Sequence, residues 1–186
     1  MSETETFDTR AESPQLIVVC GLPGVGKTTV AEDIAERVDG RLLRTDVIRK
    51  EIISDPDYTA EESRMVYGEL FERARQTVEE GQPAVLDGTF KDATDRDRAM
   101  ELSETLDVGF RLVKVECAED VVRERIRGRE DDASDADFEV HAMYRDRFEP
   151  ISVEHLTVDN SDGIEETTRQ VDDFFAVPED VSDARP

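Results

Sequence analysis

The chain has 186 residues and a mass of 21.0 kDa, the size of one ordinary domain and too little for two independent cores. Hydrophobic residues make up 37% and charged residues 38%, which allows a core beneath an unusually ionic surface and excludes a wholly disordered chain. With 47 Asp and Glu against 23 Lys and Arg, the net charge of -24 repels phosphate backbones and anionic lipids, so neither a nucleic acid nor a membrane is an expected partner.

Residues 1–13 are polar and without periodicity, and read as a disordered lead into a single domain over residues 14–176; residues 177–186 read as a loose acidic tail. Pro14 punctuates the entry to LIVVC, a β-branched apolar run of the kind that forms a strand buried on both faces. After a glycine-rich turn, Val30, Ala31, Ile34, Ala35 and Val38 recur at helical spacing until Gly40 stops them. RLLRTD, from Arg41, is a short second strand, and the helix that IRKEI begins yields at Asp55-Pro56-Asp57. Met65, Val66, Leu70, Phe71, Ala74 and Val78 mark a longer helix ended by Gly81 and Pro83, after which AVLDG is a third strand. A helix over residues 94–106, a fourth strand in VGFRLVKVEC, helices over 118–128 and 135–148, a fifth strand in HLTVDN and a helix over 164–175 complete the series. This alternation predicts an α/β fold whose parallel sheet is covered by helices on both faces.

GLPGVGKTT satisfies G-x-x-x-x-G-K-S/T and lies between a predicted strand and a predicted helix, the setting that makes this phosphate-binding motif specific. Its glycines let backbone N–H groups close around phosphate oxygens, the following helix adds its positive dipole end, and Lys27 adds a point charge. Thr28 is placed to hold Mg²⁺ through its hydroxyl. The second strand ends in Thr45-Asp46, with Arg49 a turn later. Carboxyl ends of strands face the ligand crevice of such sheets, so Asp46 suits the removal of an acceptor proton, and equally suits capping of the helix that follows. Arg49 can orient an acceptor or a phosphate oxygen. Asp87 ends the third strand and reads as a metal or acceptor ligand, or as a turn residue before Gly88; Thr89 and Phe90 start a loop over the same crevice. Tyr67 reads as core or rim more than as a ligand contact.

In VVRERIRGRE, Arg123 and Arg127 share one helical face and Arg125 and Arg129 the other, and only one face can reach transferring phosphates. The alternative is a solvated face paired with neighbouring carboxylates. His141 and His155 lack companions at metal-ligand spacing and read as structural. Asp159, Asn160 and Ser161 suit the border of an adenine, or the start of a helix capped by Ser161 or Asp162. Cys20 and Cys117 predict no disulfide framework. No apolar stretch reaches the roughly 18 residues of a membrane span, and the start is acidic where a signal peptide is basic, so the expected location is the cytoplasm. Four lysines among the 23 basic residues, with carboxylates spread over every element, point to a surface adapted to high salt.

GLPGVGKTT, LRTDVIRKEI, the tyrosine of MVYGEL, VLDGTF, RIRGR, DASDAD and RFEP, in that order, resemble the small P-loop kinases of the AAA-labelled predicted kinase group. Zeta-toxin-like, gluconate-kinase-like and adenylylsulfate-kinase-like proteins are close to this group, and the resemblance runs from Leu16 to Ser161. It implies a five-stranded parallel sheet in the order 2-3-1-4-5 with a helical lid. ATP would lie on Gly21, Leu22, Pro23, Gly24, Val25, Gly26, Lys27, Thr28 and Thr29, with Mg²⁺ near Thr28 and Asp87. It assigns catalysis to Lys27, Asp46 and the lid arginines Arg125 and Arg129, and the substrate side to Asp46, Arg49, Tyr67, Asp87, Thr89 and Phe90. The implied activity is ATP- and Mg²⁺-dependent transfer of the γ-phosphate to a hydroxyl of a small-molecule acceptor, by a monomer or weak homodimer. A 5′-hydroxyl polynucleotide kinase shares D-x-x-R, and its substrate is opposed by the charge of -24. A switch or motor ATPase would want a water-orienting Glu beside Asp87, where this chain has Gly88.

Overall fold

The computed structural model describes residues 14–128 and 138–175. The expected loose ends, Arg129 and the DASDAD segment lie outside the described residues. Among those described, strands β1 (Gln15–Cys20), β2 (Arg41–Arg44), β3 (Ala84–Asp87), β4 (Gly109–Glu116) and β5 (Leu156–Asp159) form one sheet in the order β2-β3-β1-β4-β5, every pair parallel. This is the architecture and strand order expected. The described residues also form seven helices, between the strands and after the last: α1 (Lys27–Arg37), α2 (Thr45–Ile52), α3 (Ala60–Glu79), α4 (Ala93–Thr105), α5 (Glu119–Arg127), α6 (Phe138–Arg147) and α7 (Ile164–Phe175).

Because side chains alternate along a strand, β1 divides its apolar run between two cores. Leu16, Val18 and Cys20 pack with Ile48 of α2, Val66, Leu70 and Phe71 of α3, and Ala99 and Leu102 of α4. Ile17 and Val19 pack with Val30, Ala31 and Ile34 of α1, Val122 of α5 and Val171 of α7. Leu70 and Ile34 are fully buried, and truncating either to alanine would cost about 2–5 kcal/mol. Cys20 is buried and free, its thiol pushed up to about 11 by burial. No described helix is long and apolar enough to cross a membrane.

Three local expectations are corrected. RLLRTD is not strand to its end: Arg44 is the last extended residue, and Thr45 and Asp46 already form the first turn of α2. Helix α3 starts earlier than the apolar stripe suggests, because Thr59 and Glu62 close a capping box: Thr59 Oγ1 accepts the Glu62 N–H and Glu62 Oε2 accepts the Thr59 N–H, both at 3.2 Å. Met65, counted with that stripe, is 52% exposed. The register pairs Asp87 with Val19 of β1 on one side and Arg44 of β2 on the other, so the carboxyl ends of three strands open onto one crevice.

Candidate active site

The glycine-rich turn joins β1 to α1, whose first residue is Lys27. Gly26 precedes it with φ 88° and ψ 28°, and a Cβ there would lie 2.1 Å from the Asn160 Nδ2, so both conformation and space require glycine. Lys27 Nζ donates to the Leu22 carbonyl at 2.8 Å. Thr28 Oγ1 donates to Asp87 Oδ2 at 2.7 Å, bringing together the two residues expected to hold a metal. Arg44 joins them: its Nη2 donates to Thr28 Oγ1 at 3.3 Å and its Nε lies 3.5 Å from Asp87 Oδ2.

A cavity of about 560 Å³ runs from Pro23, Gly24 and Lys27–Thr29 past Asp87 to Asp46, Arg49, Tyr67 and Thr89. Asp46 sits in the first turn of α2 and, among the described residues, its carboxylate makes no hydrogen bond or ion pair. Burial, and secondarily the charge of Asp87, hold its carboxyl above the usual aspartate range, while Lys27, Arg44 and Arg49 pull the other way. The capping alternative for Asp46 falls, because the residue before α2 is Arg44, and no side chain caps the helix. Arg49 is buried, reaching Glu62 Oε2 and Ser63 Oγ at 3.4 Å each beneath the Tyr58 ring. Across the cavity Lys91 pairs with Asp92 at 2.5 Å.

The other predicted site residues divide. Tyr67 is buried, lines the cavity and accepts the Phe90 N–H at 2.9 Å, so it has both a core and a rim role; burial raises its hydroxyl pKa. Phe90 does not line the cavity. Its ring is fully buried, edge-on to Tyr67 at 5.0 Å, because a bulky apolar side chain gains more from the core than from the crevice. Gly21, Leu22 and Val25 form the turn without lining the cavity; Gly21 donates to the Thr89 carbonyl at 3.3 Å. Of the arginine run, Arg123 and Arg127 are exposed and Arg125 is half-buried, on the side the family resemblance selects. Yet the Arg125 guanidinium is not directed at the cavity: Nη2 donates to the Asn160 carbonyl at 2.7 Å and Nη1 to the Val25 carbonyl at 3.4 Å, behind the turn. Arg129 lies outside the described residues.

Sequence reasoning passed over Arg44, read only as a strand residue. Asn160 is tied to the P-loop: its Nδ2 donates to the Val25 carbonyl at 2.9 Å and its Oδ1 accepts from Thr167 Oγ1 at 2.6 Å. Ser161 Oγ accepts the Ala118 N–H ahead of α5 at 2.8 Å. His141 is structural, with Nδ1 2.7 Å from the Pro23 carbonyl. Among the described residues no group of three or more His, Cys, Asp or Glu could hold a metal. The Thr28 and Asp87 oxygens nevertheless fit Mg²⁺, which takes one or two protein oxygens and completes its shell with phosphate and water.

The family model described as AAA domain matches residues 16–151. A protein of Mycobacterium tuberculosis (strain ATCC 25618 / H37Rv), described only as uncharacterized, is 32% identical over 142 residues; the match covers 69% of this chain and 28% of that longer protein. Among solved structures, a gluconokinase from Sinorhizobium meliloti 1021 superposes with a TM-score of 0.67 at 21% identity over 89% of this chain and 93% of its own. An APS kinase from Mycobacterium tuberculosis in complex with AMPPNP and APS superposes with a TM-score of 0.68 at 16% identity over 89% and 99%. The matched span exceeds half of the chain and contains the β1–turn–α1 unit, the Asp46 helix and the Asp87 strand, so the chain belongs to the AAA domain family and has the fold of the P-loop small-molecule kinases.

Proposed function

We propose that the protein is an ATP- and Mg²⁺-dependent kinase that transfers the γ-phosphoryl group to a hydroxyl of a small-molecule acceptor. One observation carries this reading: a single cavity joins the P-loop to the Asp46 carboxylate, which among the described residues makes no hydrogen bond or ion pair. In this reading the P-loop backbone and Lys27 bind the phosphates, and the positive end of α1 favours their charge. Thr28 and Asp87 would hold Mg²⁺, which when bound neutralises charge across the phosphate oxygens. Arg44, beside both, contributes fixed positive charge at the same place. Asp46 accepts the proton of the acceptor hydroxyl as the acceptor oxygen bonds to the γ-phosphorus, and the bond from that phosphorus to the bridging oxygen breaks to release ADP. Burial holds the Asp46 pKa above the ordinary aspartate range, so the carboxylate is a stronger base than an ordinary aspartate. Arg49, held by Glu62 and Ser63, orients the acceptor beside it.

The test is a transfer assay with γ-labelled ATP and Mg²⁺ in molar KCl, offering sugars, nucleosides, hydroxyl-bearing antibiotics and 5′-hydroxyl oligonucleotides. Label moving to a small acceptor supports the proposal. Label appearing only as inorganic phosphate with every acceptor would replace it with an ATPase, and label on the oligonucleotide end would replace the acceptor class.

A further inference from the structure

The P-loop carbonyls are gripped from outside the cavity. Pro23 O faces His141 Nδ1 of α6 at 2.7 Å; a carbonyl only accepts, so Nδ1 carries the proton. Val25 O accepts from Asn160 Nδ2 at 2.9 Å and from Arg125 Nη1 at 3.4 Å. Both neutral donors are themselves held: His141 is 4% exposed and stacks on Phe138 with ring centroids 5.5 Å apart, and Asn160 is 5% exposed with its oxygen bonded to Thr167. None of the three side chains lines the cavity, whereas Pro23, Gly24 and Gly26 do.

A trans peptide sets its C=O and N–H on opposite sides, and no cis bond occurs among the described residues. Holding the Pro23 and Val25 carbonyls behind the loop therefore turns the N–H groups of the next residues, Gly24 and Gly26, toward the cavity. Among the described residues no protein acceptor takes either N–H. We infer that His141 and Asn160 are positioning residues that preset the P-loop amides for a phosphate chain, with Arg125 assisting at Val25. Glycine peptides flip easily, so without these clamps the loop must lose that freedom when the ligand binds, and affinity falls accordingly. The inference rests on the nucleotide reading proposed above, and it assigns Arg125 to the back of the loop.

Three substitutions separate the donated hydrogen bond from packing. His141→Phe keeps a ring against Phe138 and removes the donor; His141→Asn loses the ring, but its Nδ2 can stand where Nδ1 stood. Asn160→Leu keeps the shape and removes the donor, while Thr167 Oγ1 retains the Gly163 carbonyl at 3.0 Å. Calorimetric titration with ATP and separately with pyrophosphate, in molar KCl, reads the effect, and thermal melting reads the fold. His141→Phe and Asn160→Leu should each weaken both ligands by the same factor, roughly five- to tenfold for one neutral hydrogen bond. Melting temperature should fall by only the few degrees that one lost buried hydrogen bond costs, and His141→Asn should bind nearly as the unaltered protein does. Undiminished binding by His141→Phe and Asn160→Leu would overturn the inference, as would loss for ATP but not pyrophosphate, or failure of His141→Asn to restore what His141→Phe loses. Absence of binding by the unaltered protein would instead remove the nucleotide reading, and this inference with it.

Discussion

At the P-loop end the cavity is bordered by a glycine-rich turn whose carbonyls are held by buried groups that do not line the cavity, whereas at the α2–α3 end side chains hold one another. Gly24 and Gly26 face the cavity while His141 and Asn160 grip the neighbouring carbonyls. At the other end Arg49 leans on Glu62 and Ser63, and Lys91 on Asp92. Main-chain amides offer the same donors whatever the neighbouring side chains, so the first end suits a ligand part that never varies. Paired side chains can be exchanged one by one, so the second end suits recognition that differs between relatives. In the kinase proposed here, substitutions at the two ends therefore fail differently.

The largest loss is expected from Asp46→Asn, which removes the proton acceptor and little else. Transfer should fall by about 10²- to 10⁴-fold while ATP affinity measured by calorimetry stays close to native. Near-native transfer would end the base assignment. Two pH effects accompany it. Because burial raises the Asp46 pKa, the acid limb of kcat/KM should lie above the ordinary aspartate value of about 3.9 and vanish in the Asn variant. A carboxyl whose folded pKa is raised contributes stability below its unfolded pKa that is lost as pH rises through the folded one. Asp46→Asn should thus melt slightly higher than the native protein at pH 7, and the difference should close in acid.

Lys27→Ala strikes the other end, where one charge serves both binding and the transition state. Turnover should drop by about 10²- to 10³-fold and, unlike with Asp46→Asn, nucleotide affinity should fall with it. If both variants gave the same split between kcat and ATP affinity, the contrast between the two ends would be lost. Arg49→Ala should act on the acceptor alone, raising its KM by roughly tenfold or more, the worth of a hydrogen bond to a charged group, with the KM for ATP unchanged. A shift in the ATP term would place Arg49 on the phosphates instead.

Smallest in effect on chemistry, and spread over the whole surface, is salt. Net charge is -24, and many of the ion pairs near the surface are short-range links such as Arg169 with Glu166 and Asp173, which do not offset the long-range repulsion. Raising KCl from 0.1 M to 1 M shortens the Debye length from about 10 Å to about 3 Å. Melting temperature should rise with KCl at pH 7, beyond the gain from sucrose at matched water activity, and the rise should shrink near pH 4.5. A melting temperature flat in KCl would withdraw the high-salt reading and leave the kinase reading intact.

Much of this was legible in the chain because it is local. β1 and α7 fall where their apolar patterns place them, and Gly26 must be glycine for a turn only six residues long. The exceptions are also local, and hydrophobic periodicity does not register them. Thr59 and Glu62 begin α3 ahead of its apolar stripe, and Asp46 enters a helix although it follows apolar residues that extend as strand. Strand order followed from the family resemblance, since parallel strands separated by whole helices leave no trace of their pairing in sequence spacing.

By itself, then, the sequence determined the element series, the P-loop between a strand and a helix, and the carboxylates that follow β2 and end β3, all properties of neighbouring residues with characteristic periods and turns. Tertiary structure alone decided what stands behind and beside that loop. His141 reaches Pro23 across 118 positions and Asn160 reaches Val25 across 135, while Arg125 turns to the back of the loop and Arg44 comes beside Asp87. Such contacts depend on where whole helices settle on the sheet. That is a balance of packing over two cores, and no short stretch of chain carries it.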